Sequence, residues 1–305
     1  MSPRSSLPQM VAEELELSPS ELTFLEIFKE GESSLICKVA VHGMDCVMKV
    51  FHEYTKKEWD NPDIEISMCM REVTAYERLK AKGLCARGVI PDYYGYMTFA
   101  DPTLWPELHM FTDDELPPKA ILIEYVPGMK QLELINYTQS RVKTLRNVLS
   151  EINAAKVLHS DIAPRNMIVC SGETERVLWI DFDLSVVFPE DEPLTEEHQE
   201  WFEDEAALMD EFVDWLSQDA VEGKLHKAFR CYYYGTYTYW KRIKMGLPGT
   251  PEPVLPGPVE HDKDIGGNEE NQDHEDHEDH EGIEGIEYIK PWISLSGTDM
   301  WTKCQ

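Results

Sequence analysis

The chain has no Cys-x-x-Cys pair, no apolar run near the ~18–20 residues a membrane span needs, and few cations for its anions. Its seven cysteines, Cys37, Cys46, Cys69, Cys85, Cys170, Cys231 and Cys304, are odd in number and scattered. Neither a zinc site nor a disulfide framework is suggested, and most sit in apolar runs as reduced core residues would. With 28 Lys+Arg against 58 Asp+Glu the formal net charge is -30, which would repel nucleic acid and anionic membranes as main partners. The first eighteen residues hold no apolar core of the signal-peptide kind. A soluble protein of the cytoplasm or nucleus is expected, with neither nucleic acid nor membrane as partner.

What is present is a chain of 305 residues, 42% hydrophobic, long enough for one large or two small domains. Its acidity is uneven. Residues 246–305 carry 15 Asp+Glu and 3 Lys+Arg, and 189–222 contain no Lys or Arg at all. Residues 1–20 read as a flexible polar arm. From Leu22 to Phe51 two successive hairpins, with turns at Gly31 and Gly43, predict a small antiparallel sheet. Helical spacing of Met68, Val73, Tyr76 and Leu79 predicts a helix over Ile64–Lys82. Two more strands follow, VIPDYYGYMTF and AILIEYV, separated by a Pro-rich loop at 101–118. A helix is predicted over Ser140–Leu158, two short strands at MIVC and VLWIDF, and an acidic amphipathic helix over 196–217 with Trp201, Leu208, Phe212 and Trp215 as its stripe.

The chemistry is concentrated in His159-Ser-Asp-Ile-Ala-Pro-Arg-Asn166, with Asp181-Phe182-Asp183 following fifteen residues after Asn166. Phosphoryl transfer to a hydroxyl needs the donor phosphate, its metal ions and the acceptor held in line, with somewhere for the acceptor's proton to go. The octapeptide has the H-x-D-x-x-x-x-N layout of a protein-kinase catalytic loop, and the second motif stands where that family has D-F-G. The chain thus resembles the protein-kinase-like superfamily, in particular its divergent, shortened fungal members, over about 24–217. The resemblance implies a bilobal α+β fold with an antiparallel small lobe (21–126) and a mainly helical large lobe (127–245); the composition of 246–305 reads as an acidic, disordered tail.

It also implies roles. Asp161 is the base, Arg165 the cation that stabilises transferred charge, and Asn166 and Asp181 are magnesium ligands. Lys49, in Val47-Met-Lys-Val50, matches the lysine that bridges the α- and β-phosphates of ATP, and Glu72 the helix carboxylate that aims it. Glu77 lies five residues further and off the same helical face. Glu124-Tyr125-Val126 resembles the inter-lobe hinge, whose backbone binds adenine. His159 reads as a buried structural hydrogen-bonder.

Several positions depart from the family. Where three glycines would bring backbone amides to the phosphates, only Gly31 is present, between two glutamates that repel phosphate. Asp183 replaces a glycine, which removes backbone freedom at that hinge. Ser160 replaces the arginine that reads a phosphorylated activation loop, the segment after Asp183 is short, and no A-P-E motif follows. Asp204 has two readings, a carboxylate bracing the catalytic loop and a solvated acidic face; the second is favoured. The resemblance implies an ATP- and Mg2+-dependent phosphotransferase acting on a protein hydroxyl. Two alternatives stand beside it, a small-molecule kinase and a pseudokinase that binds partners through its acidic tail. The aromatic-basic stretch His226–Lys244 reads as a closing helix, and the Asp-His-Glu repeat at 273–281 as an unfolded tract without a defined metal site.

Overall fold

The structure is a computed structural model that describes residues 14–57, 65–170 and 176–233. It is α+β, with a five-stranded antiparallel sheet and several helices. The expected strands are β1 (Leu22–Glu30), β2 (Ser34–Val41) and β3 (Met44–Phe51), joined as a meander. His42 and Gly43 close the second hairpin with φ of 49° and 80°, the paired left-handed geometry that matches strand twist. Helix α1 (Met68–Ala81) follows, then the short α2 (Leu84–Arg87), β4 (Tyr93–Thr98) and β5 (Lys119–Glu124). The strand order is β1-β2-β3-β5-β4.

Alternation along these strands gives the sheet two apolar faces. Leu35, Cys37, Val39, Met48, Val50 and Leu122 pack on one side with Trp105 and Phe111 of the Pro-rich loop. Ile36, Val47, Phe51, Ile121 and Ile123 face the other way onto Val73, Tyr76 and Leu79 of α1. Apolar burial on both faces is the main favourable contribution to this sheet's packing. The edge at β4 is partly covered. The Leu15 N–H donates to the Tyr96 carbonyl at 2.7 Å, beside Gly95 at φ +142°, where a Cβ would lie 2.9 Å from the Leu15 side chain. Within the arm expected over 1–20, Glu14, Leu15 and Leu17 lie against the sheet, and 1–13 fall outside the described residues.

The chain continues through β6 (Met129–Gln131), α3 (Gln139–Ala154), β7 (Val157–Leu158), β8 (Met167–Cys170), β9 (Arg176–Trp179), β10 (Val186–Val187), α4 (Glu196–Glu222) and α5 (Phe229–Tyr233). Strands β6, β8 and β9 form one small sheet, β7 and β10 another. Helix α3 stops four residues before the expected Leu158 because Lys156 takes a left-handed φ of 57°, and Val157-Leu158 then pair with β10. Helix α4 runs five residues past the expected 217 and ends at Gly223, φ 69°.

Its buried stripe is Glu205, Met209, Phe212, Leu216 and Asp219; of the expected stripe only Phe212 is fully buried. Two carboxylates occupy the inner face, so counting apolar residues rotated the predicted stripe onto its shoulder. The six described cysteines are free and buried. Among the described residues, no helix is long and apolar enough to cross a membrane. The tail from 246, the Asp-His-Glu repeat and most of the aromatic-basic stretch lie outside the described residues.

Candidate functional site

Three segments distant in sequence meet at Lys49. The residue sits on β3 opposite Ile36 of β2 and Ile121 of β5, so its side chain shares their face. Helix α1, capped by the Ser67 hydroxyl accepting from Met70 N–H at 3.1 Å, presents Glu72 to the same face. Lys49 Nζ lies 3.2 Å from Glu72 Oε2, donates to Asp181 Oδ1 at 2.5 Å and to Asp183 Oδ2 at 2.8 Å. The Glu72 contact is ionic without an aligned hydrogen bond, since Oε2 has no hydrogen-bond partner among the described residues. Its other oxygen accepts from the Phe182 N–H at 3.2 Å. Phe182 is wholly buried against Tyr76 and His159, which anchors the two aspartates on either side of it.

The backbone bears on the replacement of glycine at 183. The residue in left-handed conformation is Asp181, at φ 68°, whereas Asp183 lies outside the positive-φ residues. Aspartate tolerates that region better than most residues, and Asp183, outside it, adopts a conformation that needs no glycine.

The charges around Lys49 do not balance. Glu72, Asp181 and Asp183 surround one ammonium. Burial pushes the Glu72 carboxyl up to about 7, Lys49 pulls it down, and Asp181 and Asp183 push it further up. Burial and the Asp181 charge likewise raise Asp183 to about 6. Burial acts on Asp181 too, but its contacts with Lys49, helped by Arg165, hold it down at about 2. For Lys49 burial acts downward and the three carboxylates win, so its ammonium is held well above the usual lysine range. Lys49 thus has more carboxylates in contact than its single charge can neutralise.

The 159–166 loop is assembled differently. His159 is fully buried, with Nε2 3.1 Å from the Ile180 carbonyl, which fits the structural role expected of it. Ser160 is left-handed at φ 65°, and its N–H donates to Glu205 Oε1 at 2.7 Å. Asn153 of α3 donates to the other oxygen of Glu205 at 2.6 Å. The brace is thus Glu205, one residue beyond Asp204; Asp204 is only half-buried. An acidic residue four before Met209 and seven before Phe212 was the signal for it. Asp161 is 4% exposed and accepts from Arg165 Nη2 at 2.6 and 2.8 Å and from Asn166 Nδ2 at 2.7 Å. Asn166 spends its amide nitrogen on Asp161, and its amide oxygen has no partner among the described residues. Arg165 also feels Asp181, which couples the two groups.

The remaining predicted residues lie apart from these clusters. Gly31 closes the first hairpin, its N–H donating to the Ser34 carbonyl at 3.0 Å, and Glu30 and Glu32 beside it are exposed. Glu124 ends β5; its side chain pairs with Arg176 at 2.9 and 3.0 Å and accepts from Asp92 N–H. Val126 is buried, and its backbone N–H has no partner among the described residues. Arg176 was invisible in the sequence because no periodicity marks a cation that joins β9 to β5.

Basic side chains tie down the backbone of the short stretch after Asp183. Arg78 of α1 donates to the Ala155 and Phe188 carbonyls, and Lys156 to those of Pro189, Glu190 and Glu192. A cavity of about 490 Å3 between the end of β3 and the start of α1, lined by Glu53, Ser67 and Lys119, contains none of the predicted site residues. No family model matches this chain, and no curated protein is significantly similar to it.

Proposed function

We propose that the chain is an ATP- and magnesium-dependent phosphotransferase with a bilobal protein-kinase-like fold, β1–β5 and α1 forming the small lobe and α3–α5 the core of the large one. The observation that carries this reading is the convergence of Lys49, Glu72 and Asp181, 132 residues apart from first to last, beside a second group containing Asp161 and Asn166. Surface charges do not gather in this way by drift, because each buried member costs desolvation.

ATP would supply the γ-phosphoryl group, and magnesium would neutralise charge on its phosphates. The chain's residues fit both. The excess of carboxylate charge around one ammonium favours a hard cation, which Asp181 and the amide oxygen of Asn166 would hold. Among the described residues no three His, Cys, Asp or Glu side chains form a complete metal cage. Magnesium does not need one, since it draws its other ligands from phosphate and water. Lys49, aimed by Glu72, would hold phosphate oxygens. The Val126 N–H would meet adenine. Asp161, fixed by Asn166 and Arg165, would take the acceptor hydroxyl's proton, and the unused nitrogens of Arg165 would face the transferred charge.

The brevity of the stretch between Asp183 and α4 favours a compact acceptor, whether a small molecule or an exposed protein hydroxyl. A second reading, the pseudokinase, draws support from Asp183, whose hold on Lys49 a phosphate would have to displace. Thermal shift of the full chain in millimolar ATP, first with magnesium and then with EDTA, separates the two. Ligand at a hundredfold over its dissociation constant should stabilise by about 2.7 kcal/mol, and only with magnesium present. No shift in either condition would overturn the phosphotransferase reading.

A further inference from the structure

Lys29 belongs to none of the motifs, yet the register of β1 brings it to the site. Ile27 pairs with Cys37, but Lys29 pairs with Ile36, so one extra residue, Phe28, is accommodated on β1. Without that bulge Lys29 would stand opposite Leu35, on the sheet face away from Lys49. A one-residue slip moves a side chain to the other face, and bulges are the usual device for re-aiming one. The row now reads Lys29, Ile36, Lys49, Ile121 across four adjacent strands. At the usual strand spacing, the Lys29 and Lys49 backbones are roughly 10 Å apart, within reach of two long side chains directed at one ligand.

Its surroundings agree with the register. Lys29 is half-buried, while its neighbour Glu30 is exposed on the opposite face. The charges it feels are Asp181, Lys49, Asp183 and Arg165, the members of the candidate site. Burial, first, and the nearby cations work to lower its proton affinity, and the net shift is downward. It forms no hydrogen bond or ion pair with the described residues, although carboxylates lie close by. An edge-strand lysine can serve simply to block strand addition. That role calls for a solvated ammonium at the edge, whereas Lys29 is half-buried, with its Nζ against Gly31 and within the field of Asp181 and Lys49.

We infer that Lys29 is a phosphate-binding residue, a side-chain cation that does at this site what a glycine-rich turn does with backbone amides. The inference rests on the phosphotransferase reading and extends it to the polyphosphate end of the nucleotide. One cation on a bulged strand compensates for a turn that offers Gly31 alone, and the register sets Glu30 on the opposite face from Lys29. The contact is a charge-assisted one, so it should discriminate by phosphate number.

The test compares the full chain with Lys29→Met and Lys29→Arg, titrating Mg·ATP, Mg·ADP and adenosine by calorimetry, with ligand-free melting as a check on folding. Lys29→Met should weaken Mg·ATP about tenfold or more, Mg·ADP less, and adenosine by under twofold, while Lys29→Arg stays within about threefold of the parent for all three. Unchanged Mg·ATP affinity in Lys29→Met would overturn the inference and leave the phosphotransferase reading standing. Equal weakening for adenosine and ATP would overturn it too, by showing a purely structural role. A parent chain that binds neither ATP nor adenosine would overturn both.

Discussion

Two glutamates are buried to almost the same depth in this protein, and their surroundings are opposite. Glu205, 3% exposed, has a neutral N–H donor on each oxygen, from Ser160 and Asn153. Glu72, 2% exposed, has one long hydrogen bond, an unaligned ionic contact with Lys49, and two aspartates sharing that same lysine. A buried carboxylate whose lone pairs are met by rigid donors holds a structure in place. One that must share a counter-ion holds an imbalance, which a bound cation or polyphosphate complex can relieve. Perturbation of that kind gathers where chemistry is done, although structural ion networks produce it as well.

The largest expected effect falls between the two regions, on Asp161. Asp161→Asn should lower phosphotransfer by about 10²–10⁴-fold in a coupled ADP-release assay while Mg·ATP affinity stays within a few-fold. Full activity in that variant would remove the assigned base and the distinction between a working cluster and its brace. Next in size is the brace itself. Glu205→Ala strips the partner from the left-handed Ser160 and from Asn153, and should destabilise the fold by about 2–4 kcal/mol in urea melts. A loss below about 0.5 kcal/mol would show that the Glu205 contacts do not hold the loop.

The opposite sign is expected at Glu72. Its folded-state value of about 7 stands above the ordinary 4.5, so its favourable contribution is complete below about pH 4.5 and disappears as pH rises through 7. Glu72→Gln should therefore be more stable than the parent by about 1–3 kcal/mol at pH 8, and the gap should close at pH 4.5. It should at the same time bind Mg·ATP less well, having lost the group that aims Lys49. Lower stability than the parent at pH 8 would mean that Lys49 satisfies Glu72 fully. The smallest effect belongs to Glu77, the rival carboxylate on α1, half-buried and in no ion pair among the described residues. Glu77→Gln should leave stability within about 0.5 kcal/mol and nucleotide affinity unchanged.

The same contrast explains what the sequence could disclose. Lys49, Glu72, Asp161, Asn166 and Asp181 were legible because spacing within short motifs places them, and the elements carrying them follow plain periodicities of two and near 3.6. Glu205 was hidden by the rule that made α4 legible, for a carboxylate inside an apolar stripe looks like an interruption of it. Lys29 depends on a bulge, and no alternation pattern announces where an extra residue enters a strand. The end of α3 was misplaced because Lys156 leaves the helix through a left-handed conformation for which lysine has no preference. The α+β class followed from element order. Arg176 with Glu124, a contact between distant strands, had no local trace.

Gly95 has a bearing on how this protein should be handled. Because no side chain stands there, Leu15 can settle over the last strand of the sheet and cap part of an otherwise open row of amides and carbonyls. Cutting the chain after residue 20 would uncover that row, and a second molecule could then add its own strand to it. The tidy-looking truncation of an apparently dispensable N-terminus would thus yield a stickier protein that aggregates at lower concentration.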